Sequence, residues 1–255
     1  MEILLEAKNL NKKYVIGKQN EVQILKDISM KIDRGEFVSV MGPSGSGKST
    51  LLYNISGMDK MTSGSVMFNG RELSAMNEKD LSGLRLNKMG FIFQHIHLLK
   101  NLSIFDNIIM TAYMAKNTSR KLINKKAREL MENTGIAELA DNDITQASGG
   151  QLQRVGICRA LINNPDIIFG DEPTGALNTK AAAEVMELLE SINRSGTSIL
   201  LATHDVRVAA KTERVLFMLD GRIVADKKLG KCTGNSIDIK SREEKLSQWL
   251  LEMGL

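Results

Sequence analysis

Gly42-Pro43-Ser44-Gly45-Ser46-Gly47-Lys48-Ser49 sits between the apolar run Glu36–Met41 and the helix-forming run Lys48–Ile55. Its spacing, G-x-x-x-x-G-K-[ST] between a strand and a helix, lets successive backbone N–H groups turn inward around a phosphate chain. The helix that follows adds the partial positive charge of its N-terminus. In such a loop Lys48 reaches the β- and γ-phosphates and the Ser49 hydroxyl ligates Mg²⁺. A chance match in a chain of this length has a probability of roughly 1%, so a ligand-free glycine turn is the weaker reading.

A second stretch completes the first. Asp166-Ile167-Ile168-Phe169-Gly170-Asp171-Glu172 is a buried-type apolar strand ending in two carboxylates. Asp171 at the strand end is placed to hold Mg²⁺ through water, and Glu172 is a candidate general base for an attacking water. Alone, an acidic pair also suits a helix cap. Beside the Gly42–Ser49 loop it points to nucleotide chemistry.

Outward from these motifs, short β-branched runs alternate with longer helical stretches, which predicts an α/β chain with a mainly parallel core sheet. Strands are expected at Leu4–Leu10, Ile24–Ile32, Glu36–Met41, Gly64–Phe68, Met89–Phe93, Asp166–Gly170, Ser198–Ala202, Arg214–Asp220 and Arg222–Lys227. The early ones, up to Phe68, crowd around turns such as Asp33-Arg34-Gly35 and Asn69-Gly70, the pattern of an antiparallel β layer. From about Ser103 to Leu161 strand signals vanish and a helical subdomain is expected, spanning about 96–161, with a helix starting near Ser148. Residues 231–255 read as a tail: Ser241-Arg242-Glu243-Glu244 has capping-box spacing, and Leu246, Trp249, Leu250 and Met253 form one apolar helix face.

Composition excludes several classes. The 255 residues are 42% hydrophobic and 25% charged, ordinary for a globular protein. A net charge of +4 without basic runs or aromatic interleaving argues against nucleic acid. No apolar stretch is long enough to span a bilayer, and the start lacks the basic and apolar regions of a secretory leader. Cys158 and Cys232 have no ligand spacing and read as free thiols. A soluble, cytoplasmic chain is therefore expected, with any membrane role supplied by a partner.

Many phosphate-loop proteins share the first two motifs. Ala147-Ser148-Gly149-Gly150-Gln151, some 20 residues before Asp171, resembles the signature motif of ABC ATPases, whose first position is usually leucine. Tyr14 stands where that family places an adenine-stacking aromatic, Gln94 matches the glutamine that contacts Mg²⁺ and the lytic water, and His204 matches the histidine near the γ-phosphate. Asn178 stands where the family commonly carries aspartate, which removes a charge from that loop. The resemblance runs from about Leu4 to Lys227 and implies a P-loop ABC ATPase fold with ATP and Mg²⁺ as ligands. It assigns Glu172, His204, Gln94 and Lys48 to catalysis. It assigns Tyr14, Gly42, Pro43, Ser44, Gly45, Ser46, Gly47, Lys48, Ser49, Thr50, Ser148, Gly149, Gly150 and Gln151 to the nucleotide, and Ser49, Gln94 and Asp171 to the metal.

The resemblance further implies a head-to-tail dimer in which Ser148, Gly149 and Gly150 of one copy cap the γ-phosphate held by Lys48 of the other. It implies a separate transmembrane permease, received on the apolar surface within His95–Met110, and a location at the inner face of the cell membrane. The phrases Phe93-Gln94 with Leu98-Leu99, and Asp171–Asn178, resemble the branch for macrolide export, lipoprotein release and bacitracin- or lantibiotic-type peptide resistance, the last particularly. A regulatory module acting on a membrane partner without transport would use the same residues. A DNA-associated relative would need a long insertion between Gly47 and Ser148, and a translation factor would need two such domains.

Overall fold

The computed structural model describes residues 2–17 and 20–253, and the backbone divides into two compact units. The first, Met1–Met76 with Ser198–Leu255, begins with β1 (Ile3–Ile16), β2 (Asn20–Asp33), β3 (Phe37–Met41), α1 (Lys48–Ile55), β4 (Ser63–Phe68) and β5 (Arg71–Glu72). The second, Asn77–Thr197, holds α2 (Glu78–Lys88), β6 (Met89–Phe93), α3 (Ile104–Ala115), α4 (Arg120–Asn133), α5 (Gly149–Leu161), β7 (Ile167–Asp171) and α6 (Thr179–Arg194). The chain then returns to the first unit with β8 (Ser198–Thr203), α7 (Val206–Ala209), β9 (Arg214–Leu219), β10 (Arg222–Lys228) and α8 (Ser236–Glu252).

In the first unit β2, β1, β4 and β5 form the expected antiparallel layer. β3 leaves that group: it pairs in parallel with β8 and β9, its five residues all buried. Continuous apolar runs such as Phe37–Met41 and Ser198–Thr203 suit parallel strands covered on both faces. Two hairpins close on Asn69-Gly70 and Asp220-Gly221, each with positive φ at both central residues, as two-residue turns of this type require. The second hairpin tip lies against β2: a Cβ on Gly221 would meet the Ile24 carbonyl oxygen at 2.1 Å.

β1 runs six residues beyond the expected Leu10. The alternation breaks at a register shift between Ala7 and Leu10, where Asn9 adopts φ 49° and bonds Asp27 through its side chain at 2.7 Å. Beyond the break Lys12 is buried, with Asp59 neutralising it at 2.7 Å.

The tail helix also starts earlier than its pattern suggests. Asn235 caps α8 through Ile237 N–H at 3.0 Å, so Ser241 lies within the helix and the expected capping box at Ser241–Glu244 is not the start. Leu246 is fully buried and Trp249, Leu250 and Met253 pack with Met41, Ala209, Val215 and Phe217 of the same unit. Arg242, 6% exposed, fastens this helix by donating to the carbonyls of Ala210, Thr212, Leu229 and Gly230 at 2.6–3.1 Å. Charged hydrogen bonds contribute about 1.5–3 kcal/mol each, less than additively when they share one group. Arg242→Met should therefore destabilise the chain by about 2–3 kcal/mol, read as a lower urea midpoint at unchanged slope.

The second unit pairs β6 with β7 in parallel, Met89 opposite Ile167 through Phe93 opposite Asp171. Its helices share a core of Ile104, Ile108, Ile123, Ala127, Met131, Val155 and Cys158. Burial pushes the Cys158 thiol up to about 11, with the Thr134 hydroxyl 3.2 Å away, so this cysteine is an apolar core residue rather than a nucleophile. Among the described residues no helix is long and apolar enough to cross a membrane.

Candidate functional site

The phosphate loop leaves β3 at Gly42, whose φ of 152° and surroundings admit no side chain: a Cβ there would lie 2.2 Å from the Met218 carbonyl oxygen. Gly47, at φ 101°, caps α1 with its backbone alone, and Leu51 N–H returns to its carbonyl at 2.8 Å. Lys48 is nearly buried, with its ammonium on the carbonyls of Gly42 at 2.8 Å and Pro43 at 3.1 Å. The cation thus curls over the loop, with two carbonyls in reach that a phosphate oxygen could replace as acceptors. Ser46 Oγ is buried with no hydrogen-bond partner among the described residues, an orphan that a phosphate oxygen would satisfy. Both features fit a nucleoside triphosphate.

Tyr14 lies on β1 in the same unit, 38% exposed. Its hydroxyl donates to Asp59 at 2.6 Å, and the Lys12 ammonium stands 4.5 Å from the ring centroid. Burial and the Asp59 carboxylate push the phenol up to about 12, so it remains a donor throughout the physiological range. Burial by itself would raise the Asp59 carboxyl, but the hydrogen bonds from Lys12 and Tyr14 outweigh it and hold the group below its usual value. The ring therefore has one face beside a cation and a fixed orientation, as a stacking platform requires. Neither Lys12 nor Asp59 stands out in the sequence, since nothing near them has a motif's spacing. His204 follows β8 and is exposed, one residue before the Asp205 cap of α7.

In the second unit, β7 delivers Asp171 to its end, and Glu172 follows at φ 47°, a left-handed backbone uncommon for glutamate. A turn from Glu172 O to Gly175 N–H, 3.0 Å, reverses the chain. A Cβ on Gly175 would meet Gln94 Nε2 at 3.0 Å and Glu172 Cβ at 3.4 Å. The bare glycine thus leaves room for the Gln94 amide beside the turn that Glu172 opens. Strained backbone held by its surroundings is a common mark of functional sites.

Ser148 caps α5: its hydroxyl accepts from Gln151 N–H at 3.3 Å while Gln151 Oε1 accepts from Ser148 N–H at 2.8 Å. Gln151 therefore shapes the helix end, and the first free N–H groups belong to the two glycines. A Cβ on Gly150 would press to 3.1 Å from Ala181 on α6. Ala147, at the position usually held by leucine, is half-buried against the helical core, an apolar structural place as expected. Asn178 caps α6 by accepting from Ala181 N–H at 2.9 Å, a task asparagine and aspartate perform equally well.

The apolar stretch after Gln94 divides. Ile104 is core, Leu98 and Phe105 pack partly against it, and Leu99 is 47% exposed. Buried Asn107 holds the Leu99–Ser103 loop through Leu99 N–H at 2.8 Å and the carbonyls of Leu99, Leu102 and Ser103. No cluster of three or more acidic, histidine or cysteine side chains able to hold a metal occurs among the described residues.

A model of the ABC transporter family matches residues 25–175. The chain is 42% identical over 226 residues to the macrolide export ATP-binding/permease protein MacB of Hahella chejuensis, covering 89% of this chain and 34% of that protein. It is 36% identical over 247 residues to the MacB of Bdellovibrio bacteriovorus, covering 96% and 37% respectively. The chain thus spans about a third of the length of these curated relatives. Among solved structures, a dimeric ATP-binding cassette in a post-hydrolysis state bound to ADP and Pi matches with a TM-score of 0.83 and 36% identity, covering 90% of this chain and all of that one. CbiO1 from Clostridium perfringens, part of the ABC transporter complex cbiONQ, matches with a TM-score of 0.81 and 27% identity over 100% of this chain and 96% of its own.

Proposed function

The chain belongs to the ABC transporter family as an ATPase domain, and from that membership we propose that it binds ATP with Mg²⁺ and hydrolyses it as a head-to-tail dimer to drive a membrane permease. The observation that supports hydrolysis, beyond binding, is the Gln94 amide lying against the turn that Glu172 opens.

Each residue then has a task. Tyr14 stacks on the adenine, and stacking of this kind contributes about 1–3 kcal/mol. The N–H groups of the Gly42–Ser49 loop and Lys48 hold the phosphates. Mg²⁺, when bound, would neutralise charge on the β- and γ-phosphates, with Ser49, Asp171 and Gln94 as its protein-side contacts. Glu172 takes a proton from the attacking water, Gln94 orients that water, and His204 hydrogen-bonds near the γ-phosphate. The N–H groups of Gly149 and Gly150, with the Ser148 hydroxyl, come from a second copy and stabilise charge as it moves off the transferred group.

The relatives named for macrolide export support an export role at the inner face of the cell membrane. Within that branch, the Phe93–Leu99 and Asp171–Asn178 sequences support a cargo of antimicrobial peptides of the bacitracin or lantibiotic kind. Exposed Leu99, on a loop held rigid by Asn107, supports a docking surface for the permease. The test is an ATPase assay of the purified chain, with and without its permease. Mg²⁺-dependent release of phosphate from ATP supports the proposal; DNA-stimulated hydrolysis with no membrane partner would overturn it.

A further inference from the structure

One face of α5 grips the segment that carries Gln94. Gln153, Gly156 and Arg159 recur every three residues, so they lie along a single stripe of the helix. Gln153, 2% exposed, donates to the Phe93 carbonyl at 3.3 Å. Arg159 donates to the carbonyls of Ile96 at 2.6 Å and His97 at 2.9 Å. Between them Gly156 is bare where a Cβ would come within 2.9 Å of Ile96 Cγ2. The segment is closed on itself as well: the His97 ring meets the Phe93 ring edge-on at 5.5 Å. His97 has φ 52°, a left-handed backbone that costs energy in a residue with a side chain. Arg159 bonds the carbonyl of that same residue, which accounts for its persistence.

Gln94, exposed like His95 and His97, lies with its amide against the space beside Glu172 that Gly175 leaves open. The N-terminus of α5 carries Ser148, Gly149 and Gly150. We propose that Arg159 and Gln153 are positioning residues for Gln94, clamping the Phe93–His97 segment to α5 so that Gln94 and the Ser148–Gly150 helix end move as one body. This rests on the ATPase function proposed above. It gives the two groups a shared timing: α5 cannot bring its glycine N–H groups to a phosphate without carrying Gln94 along.

The test is a double-mutant cycle in the full chain. Arg159→Met should lower kcat by about tenfold, within the range that misplacing a group by about an ångström produces. The KM for ATP should stay within about twofold, and the Mg²⁺ needed for half-maximal rate should rise, as for Gln94→Ala. Because both act through one side chain, Gln94→Ala/Arg159→Met should be no slower than Gln94→Ala alone.

Lys126 supplies the control. It caps the other end of α5, on the carbonyls of Leu161 and Ile162 at 3.2 and 2.6 Å, and does not touch the segment. Lys126→Met should lower the melting point comparably while keeping kcat and the Mg²⁺ requirement. Gln153→Leu, a smaller lesion, should show the same non-additivity with Gln94→Ala if Arg159→Met fails to fold. Losses that multiply in the double variants, or a Lys126→Met variant as slow as Arg159→Met, would overturn the clamp. Amide exchange separates this from the reading beneath it. Faster exchange over residues 93–97 in Arg159→Met, in a chain that never hydrolyses ATP, leaves the clamp and removes the ATPase; unchanged exchange removes the clamp whatever the rate.

Discussion

Glu172→Gln is expected to stop turnover while leaving ATP bound, and to trap two copies together. The amide matches the carboxylate in size, so the Glu172–Gly175 turn and the φ of 47° at this residue should survive the change. What is lost is the lone pair able to take a proton from water. A positioned general base contributes about 10²–10⁴ in rate, so kcat should fall by at least about a hundredfold. Affinity for ATP, which the proposed function places on the Gly42–Ser49 loop and Tyr14, should be unchanged. With ATP held and not consumed, the head-to-tail pair has no reason to separate, and a dimer should accumulate with ATP and Mg²⁺ but not with ADP. Steady-state phosphate release and light scattering on the same preparation check both halves. Ordinary turnover by Glu172→Gln would sink the assignment of the base.

Lys48→Ala should fail one step earlier. Lys48 is nearly buried, and its ammonium rests on the Gly42 and Pro43 carbonyls. A phosphate chain offers full negative charge in their place. Removing one partner of a desolvated charge pair costs about 2–5 kcal/mol, which is about thirty- to several-thousandfold in affinity. Alanine retains helix propensity at the first position of α1, so the fold should persist. Titration calorimetry should show the ATP affinity lost, with the unfolding midpoint close to wild type. The contrast with Glu172→Gln separates binding from chemistry.

Much of this site was legible in the sequence because its residues are held by local geometry. Gly42–Ser49 and Ser148–Gln151 are strand–helix and cap motifs in which spacing and conformation determine each other, and both lie where their patterns put them. Asp171 and Asn178 are likewise set by a strand end and a helix cap. What pattern reading cannot supply is a partner distant in the chain. Lys12 is buried because Asp59, 47 residues on, neutralises it. The bareness of Gly175 makes room for Gln94, 81 residues earlier. Arg159 reaches the Ile96 and His97 carbonyls across 63 and 62 residues. The bounds of β1 were lost for the opposite reason, a local one: a bulge at Asn9 breaks the alternation by which strands are recognised.

The claim at the centre is that the phosphate loop of one copy works with the Ser148–Gly150 helix end of another. Mixing two inactive variants tests it directly. Lys48→Ala removes the phosphate grip, and Ser148→Arg blocks the helix end and its capping box. In a mixed dimer one composite site carries both lesions and the other carries neither. Each variant alone should be inactive, and the mixture should regain Mg²⁺-dependent ATPase activity that rises with the fraction of mixed dimer. A mixture that stays as inactive as its parts, although mixed dimers are shown to form, would mean that the two motifs do not meet across copies.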